Sequence, residues 1–218
     1  MKRYYEVAAV LLISAGVLFA SGSEEVESGA PPVEVVLDYF EGEVLIDGTE
    51  AELGQLLMPG SRVQTGADGF AEVVFGSGNI LRIEENSDLT LNIEDEQEGI
   101  NLAAGAFSAV MTGLRELGFG SDKELALRSL STVGGVRGTS FYFRVEDEST
   151  TYVCVCNGTL ALGDTGEDVE AGEHAAFRFT RTAGGTEQTT APLLYHDNES
   201  MDSVAERVNV EIPWGRTP

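Results

Sequence analysis

Alternation of apolar and polar positions begins near Val33 and dominates the chain from there. Val33, Val35 and Leu37 alternate with outward residues, and Gly42 then turns the chain into Val44-Leu45-Ile46, the pattern of a hairpin. Ala71, Val73 and Phe75 point one way and Glu72 and Val74 the other. Leu89, Leu91 and Ile93 alternate with Thr90, Asn92 and Glu94, which predicts a half-buried strand. Further on, Phe107, Ala109 and Met111 form one stripe, and Phe141, Phe143 and Val145 form another against Tyr142, Arg144 and Glu146. Tyr152 to Cys156 and Leu160 to Leu162 flank Asn157-Gly158, a strong two-residue hairpin signal. Helical periodicity is convincing in one place. Met201, Val204, Ala205 and Val208 form an i, i+3, i+4, i+7 stripe behind a cap at Asp197 or Asn198, predicting a short helix over 197–209.

These signals predict a mainly β protein, an antiparallel sandwich or a roll approaching a β-helix, with one short C-terminal helix. The chain has 218 residues with 26 Gly, which suits one turn-rich domain with a leader and a tail. Residues 1–22 read as a signal peptide: Lys2 and Arg3 start it, and Val7 to Ala20 is apolar apart from Ser14 and Gly16. That run is short for a membrane span of about 20 residues, so no stable span is expected after cleavage at Ala20-Ser21-Gly22. Residues 23–32 read as a flexible acidic tether, 33–182 as the β domain and 183–218 as a tail carrying the helix. The expected location is periplasmic or otherwise extracytoplasmic.

With 13 basic and 37 acidic residues the formal charge is −24. Such a surface repels phosphate backbones, so nucleic acid is excluded as a partner. It suits a soluble protein, a cation or a basic partner. Enzyme signatures are absent: there is no G-x-S-x-G, Walker loop or H-E-x-x-H. In Gly76-Ser77-Gly78, Leu81 stands where a dinucleotide site needs its third glycine. The protein is expected not to be an enzyme.

Leu57-Met58-Pro59-Gly60-Ser61-Arg62-Val63-Gln64-Thr65-Gly66-Ala67-Asp68-Gly69-Phe70-Ala71 resembles the opening of the FecR domain. Gly78-Asn79-Ile80-Leu81-Arg82-Ile83, Gly105-Ala106-Phe107 and Gly135-Val136-Arg137-Gly138-Thr139-Ser140-Phe141 continue the resemblance, over about residues 56–162. It implies a sensing, signalling, scaffolding or partner-binding module outside the cytoplasm, with an envelope protein or a small ligand as the expected partner. Known members include membrane-spanning regulators of sigma factors and stand-alone exported proteins. Only Met1 to Glu6 precede the apolar run, which leaves no room for a cytoplasmic anti-sigma segment, so a stand-alone exported member is expected.

Candidate chemistry falls in two places. Arg137, Gly138 and Thr139 are candidates for ligand or partner binding, with a carboxylate pairing of Arg137 as the competing reading. A side chain on Gly138 is expected to clash with close-lying backbone, so Gly138→Val should misfold the chain. The second place is the chain's sulfur and imidazole: Cys154, Cys156, His174 and His196. Two strand positions apart, the cysteines share a face with Tyr152, while Val153 and Val155 face away. With both histidines they would complete a Cys2His2 set for a bound transition metal. A redox-active Cys154–Cys156 disulfide, strained at i, i+2, and two plain core thiols are the alternatives.

Overall fold

The computed structural model describes residues 33–93, 99–119, 123–163 and 166–216. The signal-peptide and tether assignments, and the acidic 94–98 stretch, lie outside the described residues. Strands β1 (Val35–Glu41), β2 (Val44–Ile46), β3 (Thr49–Glu50), β4 (Ser61–Thr65), β5 (Phe70–Phe75), β6 (Asn79–Ile83) and β7 (Asp88–Asn92) make the first half. Strands β8 (Gly99–Ala104), β9 (Ala106–Met111), β10 (Leu125–Arg128), β11 (Val133–Val145), β12 (Thr150–Leu162), β13 (Glu167–Ala171), β14 (Ala175–Thr182) and β15 (Gly185–Thr190) make the second. Helix α1 (Asn198–Glu206) follows.

All the strands join one curled sheet, in the order β1-β5-β6-β9-β11-β10-β8-β7-β4-β2-β3, with β12 carrying β13 and β14 beside β11 and β15 beyond β14. The described ladders are antiparallel except the short β8–β10 pair. The mainly β expectation and the short C-terminal helix both hold. Inside the curl lies the principal core, including Leu37, Val63, Phe75, Leu81, Leu89, Phe107, Phe141, Phe143, Val153 and Val155. On the opposite face of the middle strands lies a second cluster: Ile80, Ala106, Val110, Tyr142, Tyr152, Cys154 and Cys156, roofed by Met201, Val204, Ala205 and Ile212. Strands covered on both faces read as near-continuous apolar runs. That is why every residue of β9 is buried, whereas β7, covered on one side, keeps a strict alternation.

Two predicted hairpins are corrected. Gly42 does turn the chain, at φ 65°, but β1 pairs with β5, and β2 pairs with β3 and β4. A Cβ on Gly42 would lie 2.2 Å from the carbonyl oxygen of Asp68, so this corner is pressed onto the turn before β5 instead of folding β1 onto β2. Asn157-Gly158 is not a turn either: β12 runs straight through it. The Asn157 amide nitrogen instead donates to the carbonyls of Gly172 (2.9 Å), Pro213 (3.2 Å) and Arg216 (3.0 Å), tying the chain's end to the sheet. The hairpin that forms joins β11 to β12. In it Asp147 accepts from the backbone N–H groups of Ser149 and Thr150.

Helix α1 is capped by Asp197, whose carboxylate accepts from the Ser200 N–H while the Ser200 hydroxyl accepts from the Asp197 N–H. Its stripe of Met201, Val204 and Ala205 is buried against the second cluster. Burying side chains of this size contributes about 1.5–3 kcal/mol for each large one.

Candidate metal centre

Cys154 and Cys156 project from β12 onto the second face together with Tyr152, while Val153 and Val155 enter the principal core, as the alternation requires. The strand is irregular here. Ser140 faces Asn157 and Phe141 faces Val155, so Cys156 is an extra residue with no partner on β11, a bulge. Both residues are free thiols. His174 stands before β14 with φ 43°, and its N–H donates to the Cys156 carbonyl at 3.1 Å. His196 follows Tyr195, at φ 67°, in the segment leading to α1. Left-handed backbone at non-glycine residues costs on the order of 1–3 kcal/mol each, and here it flanks or forms both histidine positions.

The sequence's sulfur and imidazole thereby converge. One ligand atom from each of Cys154, Cys156, His174 and His196 lies within 4.8 Å of every other. Cys154 Sγ is 3.5 Å from His174 Nδ1, and Cys156 Sγ is 3.3 Å from His196 Nε2. Around a tetrahedral zinc ion with Zn–S of about 2.3 Å and Zn–N of about 2.0 Å, sulfur and nitrogen ligands sit about 3.5 Å apart.

The remaining ring nitrogens are tied to acceptors. His196 Nδ1 donates to the Leu194 carbonyl at 2.9 Å, which leaves Nε2 as a lone pair facing Cys156. His174 Nε2 donates to Asn198 Oδ1 at 2.7 Å, which leaves Nδ1 facing Cys154. The Asn198 amide nitrogen is itself directed at Glu173, at 3.4 Å. Such outer partners fix the tautomer and ring orientation of metal-ligating histidines. Flat faces hold the rings as well: Tyr142 stacks on His196 at 4.6 Å and 10°, and Trp214 on His174 at 5.1 Å and 28°. Tyr142 is anchored by donating to Glu84 Oε2 at 2.8 Å.

Electrostatically the sulfurs divide one charge. The Cys156 thiol, with help from both imidazoles, holds Cys154 far below the usual thiol range against the cost of burial. Burial, and then the Cys154 thiolate beside it, push Cys156 up. His174 is raised by its contact with Cys154. The four donors are two soft thiolate-forming sulfurs and two borderline nitrogens in a part-buried cluster. This set suits zinc or another late transition metal and disfavours calcium or magnesium. Four such donors would fill every position of a tetrahedron, the pattern of a closed site.

Residues 61–161 match the model of the FecR protein family. The chain carries a FecR domain. No curated protein matches the chain. The matched stretch runs from β4 nearly to the end of β12, so the FecR domain supplies Cys154 and Cys156, while His174 and His196 come from the chain after it. FecR domains are envelope-associated signalling modules, and this assignment suggests a sensing or signalling role at the envelope. Among the described residues no helix is long and apolar enough to cross a membrane.

Arg137, Gly138 and Thr139 fall elsewhere, in a stretch of β11 that carries a register shift. Arg137 binds Glu124 and, at 2.8 Å, Asp168, all partly exposed. The buried Thr139 hydroxyl donates to the Asn157 carbonyl at 2.7 Å. In the structure these contacts join β11 to its neighbours. The close approach expected at Gly138 is corrected: a Cβ there would meet nothing nearer than 3.7 Å, and the position is special only because φ is 124°. Asn198, Tyr142 and Trp214 were not singled out as site residues from the sequence. The one usable signal was Trp214, the chain's single tryptophan.

Proposed function

We propose that this FecR-domain protein is a non-enzymatic extracytoplasmic sensor whose ligand is a transition-metal ion, zinc foremost, held by Cys154, Cys156, His174 and His196. The observation that carries this reading is the pair of fixed imidazoles. Each gives its other N–H to an oxygen and points its free nitrogen at a sulfur. Two plain core thiols would need no such arrangement. The leader pattern in residues 1–22 supports action outside the cytoplasm.

Native mass spectrometry of protein prepared without chelator, with one equivalent of Zn2+ added, tests this reading. A single bound zinc is expected, lost in Cys154→Ser and in Cys156→Ser. A bare mass under these conditions sinks the proposal. Substituting the orienting partner is milder: Asn198→Ala should weaken zinc binding about 10–100-fold while leaving stoichiometry intact, read by competition with a chromophoric chelator.

A further inference from the structure

Residues 191–216 form a strap across the second face of the sheet, and they make more contacts with the metal centre than one ligand. His196 is a donor, Asn198 orients His174, and Trp214 lies against the His174 ring. Beside them the Tyr152 hydroxyl donates to the Pro192 carbonyl at 3.2 Å and accepts from the Leu194 N–H at 3.0 Å. At the far end the strap is held by charge. Glu72, only 2 % exposed, accepts from Arg82 Nε at 2.8 Å. Arg207 Nε lies 2.7 Å from its other oxygen, an ion pair not aligned as a hydrogen bond. Arg207 also reaches Asp38 at 2.8 Å, and Arg82 donates to Ser203 at 2.7 Å. Along the strap only Met201, Val204, Ala205 and Ile212 bury fully, and its last residues are held by the Asn157 amide through the carbonyls of Pro213 and Arg216.

Resting on the metal-sensor reading, we propose that the metal ion is the clasp of this strap, so that occupancy of the centre and docking of residues 191–216 form one coupled equilibrium. Cys154, Cys156 and His174 are fixed to the sheet, whereas His196 travels with the strap. Lifting the strap therefore removes a ligand and the partner that orients His174. A ligand that binds only the docked form stabilises docking in proportion to its saturation, and the coupling is reciprocal. The signal delivered is the uncovering of Ile80, Val110, Tyr142 and Tyr152 when metal is scarce.

Hydrogen exchange on the full chain, with and without Zn2+, tests the clasp. In the metal-free protein, amides of α1 should exchange faster than those of β11 and β12, showing that the strap opens before the sheet. At free zinc about 100-fold above the dissociation constant, α1 exchange should slow by about 100-fold. Arg207→Ala, far from the ligands, should speed α1 exchange in the metal-free protein and keep one zinc. Zinc binding with α1 exchange unchanged, or α1 exchanging in step with β11 when metal-free, overturns the clasp and leaves the metal site standing. Failure to bind zinc at all overturns both.

Discussion

Zinc saturation should raise the melting temperature of this protein by about 8–16 °C, an effect that Cys156→Ser abolishes. The shift follows from mass action. A metal bound only by the folded chain adds about 4 kcal/mol when its free concentration is a thousandfold above its dissociation constant, and each kcal/mol moves the transition of a domain this size by about 2–4 °C. The unfolded chain competes poorly, because its ligands are spread from Cys154 to His196 and close together only when β12, the His174 turn and the strap are in place. Calorimetry with Zn2+, Mg2+ and Ca2+ in parallel separates the site from the acid-rich surface. The hard cations can occupy exposed carboxylates but should not reproduce the shift or respond to Cys156→Ser. An equal shift with magnesium, or a zinc shift that survives Cys156→Ser, would place the effect on the surface charge.

The carboxylate at Glu146 gives a smaller, pH-dependent term. Arg178 and then Tyr195 hold its pKa below the usual carboxylate value, through contacts of 2.7 Å and 2.6 Å. A group depressed in the folded state contributes stability above its unfolded pKa and loses it as pH falls through the folded one. Acid titration of Glu146→Gln should therefore show a shallower loss of stability below about pH 4.5 than the wild type. Parallel curves for the two proteins would mean that the pair contributes nothing.

What the residue pattern made legible was the content of each strand and the face each side chain takes. Tyr152, Cys154 and Cys156 on one side of β12 and Val153 and Val155 on the other follow from period two alone. Pairing was less legible, because it depends on which distant strand offers the complementary edge: β1 reads as the first arm of a hairpin yet pairs with β5. The metal-type residues were legible by kind. Their convergence was not, since the bulge at Cys156 and the left-handed backbone at His174 and Tyr195 leave no periodic trace. The ring-orienting roles of Leu194 and Asn198 belong to a carbonyl and an amide that local sequence cannot aim.

Gly158→Val should cost several kcal/mol or prevent folding, whereas Gly138→Ala should leave a folded, less stable protein. The two glycines sit beside one another where β11 meets β12, and both have positive φ, 111° and 124°. Backbone conformation alone therefore penalises either substitution, on the order of 1–3 kcal/mol. Space then separates them. A Cβ on Gly158 would lie 2.8 Å from the Gly138 carbonyl oxygen and 2.8 Å from the Thr139 Cα, fixed backbone atoms of the neighbouring strand, while on Gly138 it meets only the Met111 carbonyl at 3.7 Å. Relieving the Gly158 clash requires parting β11 from β12, which would break the Thr139–Asn157 bond and move Cys156, two residues away, off its bulge. Chemical denaturation of both variants, with zinc stoichiometry measured on whatever folds, checks the argument. Equal losses at the two positions would show that φ alone governs this junction, and a Gly158→Val protein with native stability would show that β11 and β12 can separate here without consequence.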